Sequence, residues 1–352
     1  MSAANNTSYT PLERVLTSLS FKEPDRVPFF LLLTTHGARE LSMSIKDYFS
    51  DAQAVAEGQI RMQQRYGHDC LYAFTYAAIE TEAWGGSVLF TEDGPPNAGA
   101  PIIHRASDID TIRAPQIGDC ANLQRNLRAI SLMKERVGSS VPIIGVVMSP
   151  FSVPIMQMGF PAYLDLLHED SARFESLMAA NEDFCVRWAN AQLEAGATAI
   201  CYFDPLSSTD MIPRAKYLET GHKIACRVIA QIKGATAIHL ASGRGLTLVD
   251  PLVQAKTAIM GLSSQDNLVE AKKKAAGRIS LLGNLDGITM RRWTAEDAVR
   301  EVKQAIADGA RGGGFILSDN HGEVHWSVPE SVLEAIADAV KTWGRYPLSW
   351  LS

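Results

Sequence analysis

No run of about eighteen uninterrupted apolar residues occurs in this 352-residue chain, so the sequence offers no membrane-spanning helix. Cysteine is scarce and unpatterned. Cys70, Cys120, Cys185, Cys201 and Cys226 form no CxxC pair, and an odd, scattered set reads as reduced intracellular thiols, not as a disulfide frame. Basic charge is thin as well: the net charge is −6, and the longest basic run is Lys272-Lys273-Lys274 with Arg278 after it. That run lies in a helix-like segment and suits a solvated face, which argues against a nucleic-acid partner. The polar stretch Met1 to Thr10 lacks the apolar centre of a secretory signal. No GxGxxG follows the first strand-like run and no GxxxxGKS/T occurs, so a nucleotide-binding open sheet loses support. Internal repeats, low-complexity linkers and a second domain are absent too. The expectation is a cytoplasmic enzyme or binding protein made of one domain over residues 1–352.

What the chain does have is core-forming material and alternation. Apolar residues make up 46% and charged residues 20%, as in a globular protein with a large interior. Residues 11–20 space their apolar positions like a short helix with proline at its start. Residues 27–33, Val-Pro-Phe-Phe-Leu-Leu-Leu, form an apolar run without alternation, as a strand covered on both faces does. Strand-like runs follow at 68–75, 141–147, 196–203, 236–240, 258–262, 279–284 and 314–317. Helical segments lie between them at 51–66, 123–137, 160–167, 170–195, 214–233, 246–254, 268–276, 294–309 and 329–344. Residues 87–105, around Gly94-Pro-Pro, read as a hairpin excursion. Eight strand–helix units predict a (β/α)₈ TIM barrel with an N-terminal helical extension.

In such a barrel the residues just past each strand line the active-site mouth. Those positions hold Thr34, Thr35 and His36; Tyr76, Glu80 and Glu82; Met148 and Ser149; Asp204; His239; Asn284 and Asp286; and Ser318, Asp319, Asn320 and His321. His239 closes an apolar run, Ala237-Ile-His-Leu-Ala, and by itself suits a core histidine satisfied by a backbone carbonyl. Asp204, Glu219 and His321 give it company. Two carboxylates and two imidazoles can converge on zinc, or they can form an acid–base network without metal. The spacing Asp204-x14-Glu219-x19-His239 leaves both open. Glu80 with Glu82, and Asp319 with His321, are further candidate acid–base pairs. His325 and Trp326 suit the rim. His68, His104, His168 and His222 are expected at the surface.

The order of these segments resembles the uroporphyrinogen decarboxylase superfamily, which includes corrinoid-dependent methyltransferases. The matching stretches begin with Leu12 to Pro28, Tyr66-Gly-His-Asp69 and Val141-Pro-Ile-Ile-Gly-Val-Val-Met-Ser-Pro-Phe151. They continue with Glu194-Ala-Gly-Ala-Thr-Ala-Ile-Cys-Tyr-Phe-Asp-Pro205, Leu282-Gly-Asn-Leu-Asp286 and Asn320-His-Gly322. The resemblance implies the same barrel. Decarboxylases of the superfamily carry Arg-Gln-Ala-Gly-Arg after the first strand, to grip acidic side chains of a porphyrinogen. Here that stretch is Leu33-Thr-Thr-His-Gly-Ala-Arg39, and only Arg39 remains.

The methylcobalamin:coenzyme M methyltransferases hold zinc through His-x-Cys and a later cysteine. His239 matches that histidine, Ala241 replaces the cysteine, and His321 lies near the second. The methyltransferase components of corrinoid O-demethylases carry Glu-x14-Glu-x20-His, which Asp204, Glu219 and His239 resemble with one acidic exchange and one residue fewer. The resemblance thus implies zinc on Asp204, Glu219 and His239, with His321 as an optional fourth ligand, and a substrate pocket with His36, Tyr76 and Asn320. It implies a methyl transfer between a small methylated, methoxylated substrate and a corrinoid on a separate protein. This chain has no Asp-x-His-x-x-Gly cobalamin motif of its own. His239, Asp204 and His321 are then the catalytic candidates. A metal-free decarboxylase or lyase, and a catalytically silent binding relative, are the rival expectations, and a homodimer is compatible with either.

Overall fold

A computed structural model describes residues 9–351; the polar residues 1–8 of the N-terminus lie outside them. Seven parallel strands run in consecutive order: Leu71–Tyr72, Ile143–Met148, Ala199–Phe203, Ala235–His239, Ile259–Gly261, Ser280–Leu285 and Phe315–Asp319. Residues 27–33 fill the gap between the last and the first. Leu317 donates to the Pro28 carbonyl and Phe30 donates to Leu317, while the Asp69 N–H reaches the Phe29 carbonyl at 2.8 Å. The eighth segment therefore closes the barrel, as the strand count predicts. It is not a regular strand because Pro28 has no N–H to give to a ladder, and only Phe29 forms a bridge, with Leu317.

The single-residue alternation of each strand sorts two cores. Ile143, Ile200, Ile238, Leu281 and Leu317 face outward into the helical shell with Trp188, Val302 and Leu333. Phe30, Leu32, Tyr72, Phe74, Val146, Cys201, Leu282 and Ile316 face inward and meet Val15 of the N-terminal helix. That helix, Pro11–Leu19, starts on a capping box between Thr10 and Glu13. It plugs the foot of the barrel, where the Leu12 N–H bonds the Ser140 carbonyl and the Ser18 hydroxyl donates to Phe315 at 2.9 Å. Buried Arg14 fixes its orientation by pairing with Asp25 and Asp69 at 2.6 and 2.7 Å.

Several boundaries differ from expectation. The strand expected at 68–75 shrinks to two residues, because the chain turns into the helix Ile79–Ala83. The helix expected at 214–233 is two helices, Arg214–Glu219 and Gly221–Ile229, broken at Thr220 with φ −122° and ψ −88°. The excursion is the antiparallel pair Val88–Leu89 and Asn97–Ala98, and Thr294 caps Ala295–Gly309 through a capping box with Asp297. Among the described residues no helix is long and apolar enough to cross a membrane.

Candidate active site

His239 is the last residue of its strand and is almost fully buried. Its ring stacks on Phe203, with centroids 5.5 Å apart and planes at 20°. Two glycines make room for it. A Cβ on Gly261 would sit 2.6 Å from His239 Cδ2, and one on Gly322 would sit 2.6 Å from the Phe203 ring. The Ala241 N–H donates to His239 Nδ1 at 3.1 Å, and Nε2 has no partner among the described residues. Burial, aided by the nearby charge of His321, lowers the pKa to about 3. The ring is therefore neutral, and its proton sits on Nε2.

Above it, exposed His321 shares a hydrogen bond with the Ser242 hydroxyl at 2.8 Å from Nδ1. Asp319, at the end of the last strand, orients this corner: its Oδ1 accepts from the N–H groups of His321 and Gly322, both at 2.8 Å. Asp319 Oδ2 is buried without a partner among the described residues, and burial holds the carboxyl above its ordinary range. The Tyr72 hydroxyl donates to the Gly322 carbonyl at 2.9 Å. Glu323 leans back to the first strand segment, where Thr34 donates to its carboxylate. Burial raises Glu323 to about 7, with the Thr34 bond opposing and the Asp319 charge adding to the rise. Glu323 and Ser242 are not among the residues the sequence singles out, because their partners, Thr34 and His321, lie far away in the chain.

The other expected site residues separate into groups. His36 is buried with neither ring nitrogen partnered among the described residues, lies 6.0 Å from the Trp326 ring, and is pushed down to about 3 by burial and then by Arg39. Arg39 covers the Trp326 ring at 4.2 Å and donates to its carbonyl, so the one arginine of that stretch is engaged. Asn320 braces the rim, accepting from the Gly287 N–H at 3.0 Å and donating to Ser264 at 3.1 Å. Tyr76 is not brought to His239: it packs between Phe49 and Phe90 and donates to Glu82 at 2.5 Å. Glu80 is buried behind the Ile143–Met148 strand and accepts from the Met148 N–H. His68 departs from its expected surface place. It is buried edge-on to Phe29, where the residues before Leu71 dip into the barrel wall.

The donor set expected for zinc does not assemble. Asp204 abuts the site through its backbone, donating to the His239 carbonyl at 2.7 Å. Its carboxylate ends among three serine hydroxyls: Ser149 and Ser152 on Oδ1 at 2.6 and 2.7 Å, and Ser207 on Oδ2 at 2.5 Å. Glu219 is exposed at the end of its short helix and borders an outer groove with Phe174 and Lys223. A helix and its turn separate Asp204 from Glu219 in the chain, and that path carries Glu219 to the outside of the shell. His239 offers an N–H at Nε2 and an occupied Nδ1. Among the described residues no three His, Cys, Asp or Glu side chains are grouped to hold a metal ion. The four residues do not fit zinc.

The sequence pattern of the uroporphyrinogen decarboxylase family (URO-D) matches residues 10–343. Similar curated proteins include the uroporphyrinogen decarboxylase of Actinobacillus pleuropneumoniae, 24% identical over 308 residues with 84% of each chain covered. That of Methylococcus capsulatus is 25% identical over 306 residues, covering 84% of this chain and 85% of its own. A solved methyltransferase from Methanosarcina mazei shares the fold with a TM-score of 0.86, over 95% of this chain and 99% of its own, at 17% identity. A B12-independent methionine synthase from a Shewanella species has a TM-score of 0.53 over 92% and 96%, at 15% identity.

Proposed function

Since the chain belongs to the uroporphyrinogen decarboxylase family, we propose that it is a methyltransferase of that family. On this reading it moves a methyl group between a small, neutral, methoxylated substrate and a corrinoid carried by a separate protein. The observation that carries the reading is the proton inventory at the mouth. His239 beneath it is neutral, Glu323 keeps its proton up to about pH 7, and His321 bonds Ser242, while Arg39 is already engaged. Such a mouth donates hydrogen bonds to a neutral oxygen, and the guanidinium groups of Arg39 and Arg244 in its flanking loops are engaged with Trp326 and Asp210 instead of being free to clamp several carboxylates. The shared barrel of the Methanosarcina mazei methyltransferase supports the reading as a likeness of fold.

A reduced corrinoid brought to this mouth by a carrier protein would supply the nucleophile for the methyl carbon. This chain's residues deal with what is left. The oxygen keeps the electron pair of the broken C–O bond and needs a proton. Glu323, with Thr34 holding its other oxygen, is the general acid in reach of that role. His321, held through its backbone by Asp319 and through its ring by Ser242, orients the oxygen. Beneath them His239 stays buried and neutral, so it adds no charge under the substrate.

The test mixes the purified protein with a reduced corrinoid protein and a panel of methoxylated compounds, measuring demethylated alcohol and methylated corrinoid together. Equal amounts of the two products are expected, with a drop of about a hundredfold for Glu323→Gln. Absence of both products across the panel, with carbon dioxide released from a small acid, would overturn the reading. The curated relatives are named decarboxylases, which supports decarboxylation as the second reading; there Glu323 would protonate the product carbanion.

A further inference from the structure

Barrel interiors are normally filled by stacked layers of bulky side chains. Here the lower layers are incomplete. On two neighbouring strands the inner positions are small, Ala199 on one and Ala235 and Ala237 on the next, and Ala258 stands just before the third. Facing them are Phe30, Leu32 and Leu282, and the N-terminal helix closes the floor with Val15 and Leu16. The result is an apolar chamber of about 120 Å³ with His239 at its upper end. Ala237 and Ile259 are mid-barrel residues yet retain accessible surface, because they face this space. At the foot Ala235 is exposed and Leu16 is half exposed, which marks the opening.

We propose that this chamber binds one small neutral apolar molecule, a single aromatic ring or a short alkyl group, which enters past Leu16 and rests beneath His239. An apolar void of this size gives water too few hydrogen-bond partners and stays dry, whereas a ring-sized apolar molecule recovers the missing contacts. A charged molecule is excluded, since the lining offers no ion to pair with it. The neutral state of His239 belongs to the same environment. The site lies below the mouth and does not depend on the methyl-transfer reading.

The experiment titrates the full-length protein with toluene and, separately, with benzoate, following the Tm and the imidazole NMR signals of His239. Toluene at about tenfold over its Kd raises the Tm by roughly 2–4 °C, saturably, and shifts the His239 signals, while benzoate does neither. Ala237→Leu fills the space and weakens toluene binding at least tenfold. Ala237→Val, a smaller intrusion, weakens it less and serves if the leucine variant does not fold. No saturable toluene effect, benzoate acting as toluene does, or undiminished toluene binding in the folded Ala237 variant would each overturn the proposal.

Discussion

The N–H of Ala241 donates to Nδ1 of His239 at 3.1 Å, and that one contact decides what the histidine can do. A neutral imidazole has a single proton, so with Nδ1 accepting, Nε2 must donate. A protonated Nε2 cannot ligate a metal, but it can give a hydrogen bond to a ligand oxygen.

Nitrogen-15 NMR of labelled histidine checks this assignment. The His239 ring is expected as the Nε2–H tautomer at neutral pH and to stay uncharged down to about pH 4, since its pKa lies near 3. Titration near 6.5, the ordinary value, or an Nδ1–H tautomer would remove it as a neutral donor.

Asp204 and Glu219 make a contrasting pair. Removing the Ser152 hydroxyl deprives Asp204 Oδ1 of one of its two donors and the Leu206 N–H of its acceptor. Ser152→Ala is therefore expected to destabilise the fold by about 1–3 kcal/mol, the cost of an unsatisfied buried polar group. Glu219→Ala, at an exposed position, is expected to change stability by less than about 0.5 kcal/mol and activity by less than about twofold. Thermal melts, activity and metal content of the two variants settle the matter. Parallel loss of zinc and activity in Glu219→Ala would restore the carboxylate as a ligand.

These residues also show which parts of the protein are legible in one dimension. The barrel is, because eight apolar runs separated by helices leave few other ways to bury both sheet faces. The position of His239 is too, since a strand end in a barrel is a mouth position. The face on which Glu219 lies is not. A fourteen-residue gap containing a short turn, a loop and most of a six-residue helix does not determine on which side of the shell it ends. Asp204 precedes that gap, and its partners Ser149 and Ser152 come from a neighbouring strand end about fifty residues earlier, a pairing that local pattern does not contain. Glu323 joins the site only because the last loop folds back onto Leu32 and Thr34.

Glu323 gives the proposed reaction its pH dependence. The acid form is needed to protonate the departing oxygen, and it is lost as pH rises through about 7. Demethylation should therefore fall on the alkaline side of about pH 7. Glu323→Gln keeps an acceptor for Thr34 but carries no transferable proton, so its slower rate should lack that alkaline limb. A profile for the variant that still bends near 7 would assign the proton to another group.

Glu80 offers a stability counterpart far from the mouth. Its carboxyl is buried, with Oε1 bonded to the Met148 N–H and Oε2 unpartnered, and burial raises its pKa to about 7. Below pH 4.5 both folded and unfolded chains hold the proton, and the residue contributes no pH dependence. Between about 4.5 and 7 the unfolded chain has lost the proton while the folded one keeps it, so stability falls as pH rises. Above about 7 both are ionised and the loss is complete, at roughly 2–4 kcal/mol. Buried His36, His68 and His239 act in the opposite sense between about pH 3 and 6.5, so the total curve is composite. Glu80→Gln isolates the carboxyl, because the amide oxygen can accept from Met148 and never ionises. The stability difference, variant minus wild type, is expected to grow from pH 4.5 to 7 and then level off. Denaturant unfolding at half-unit pH steps measures it, and a flat difference across that window would mean that Glu80 ionises at its ordinary pKa.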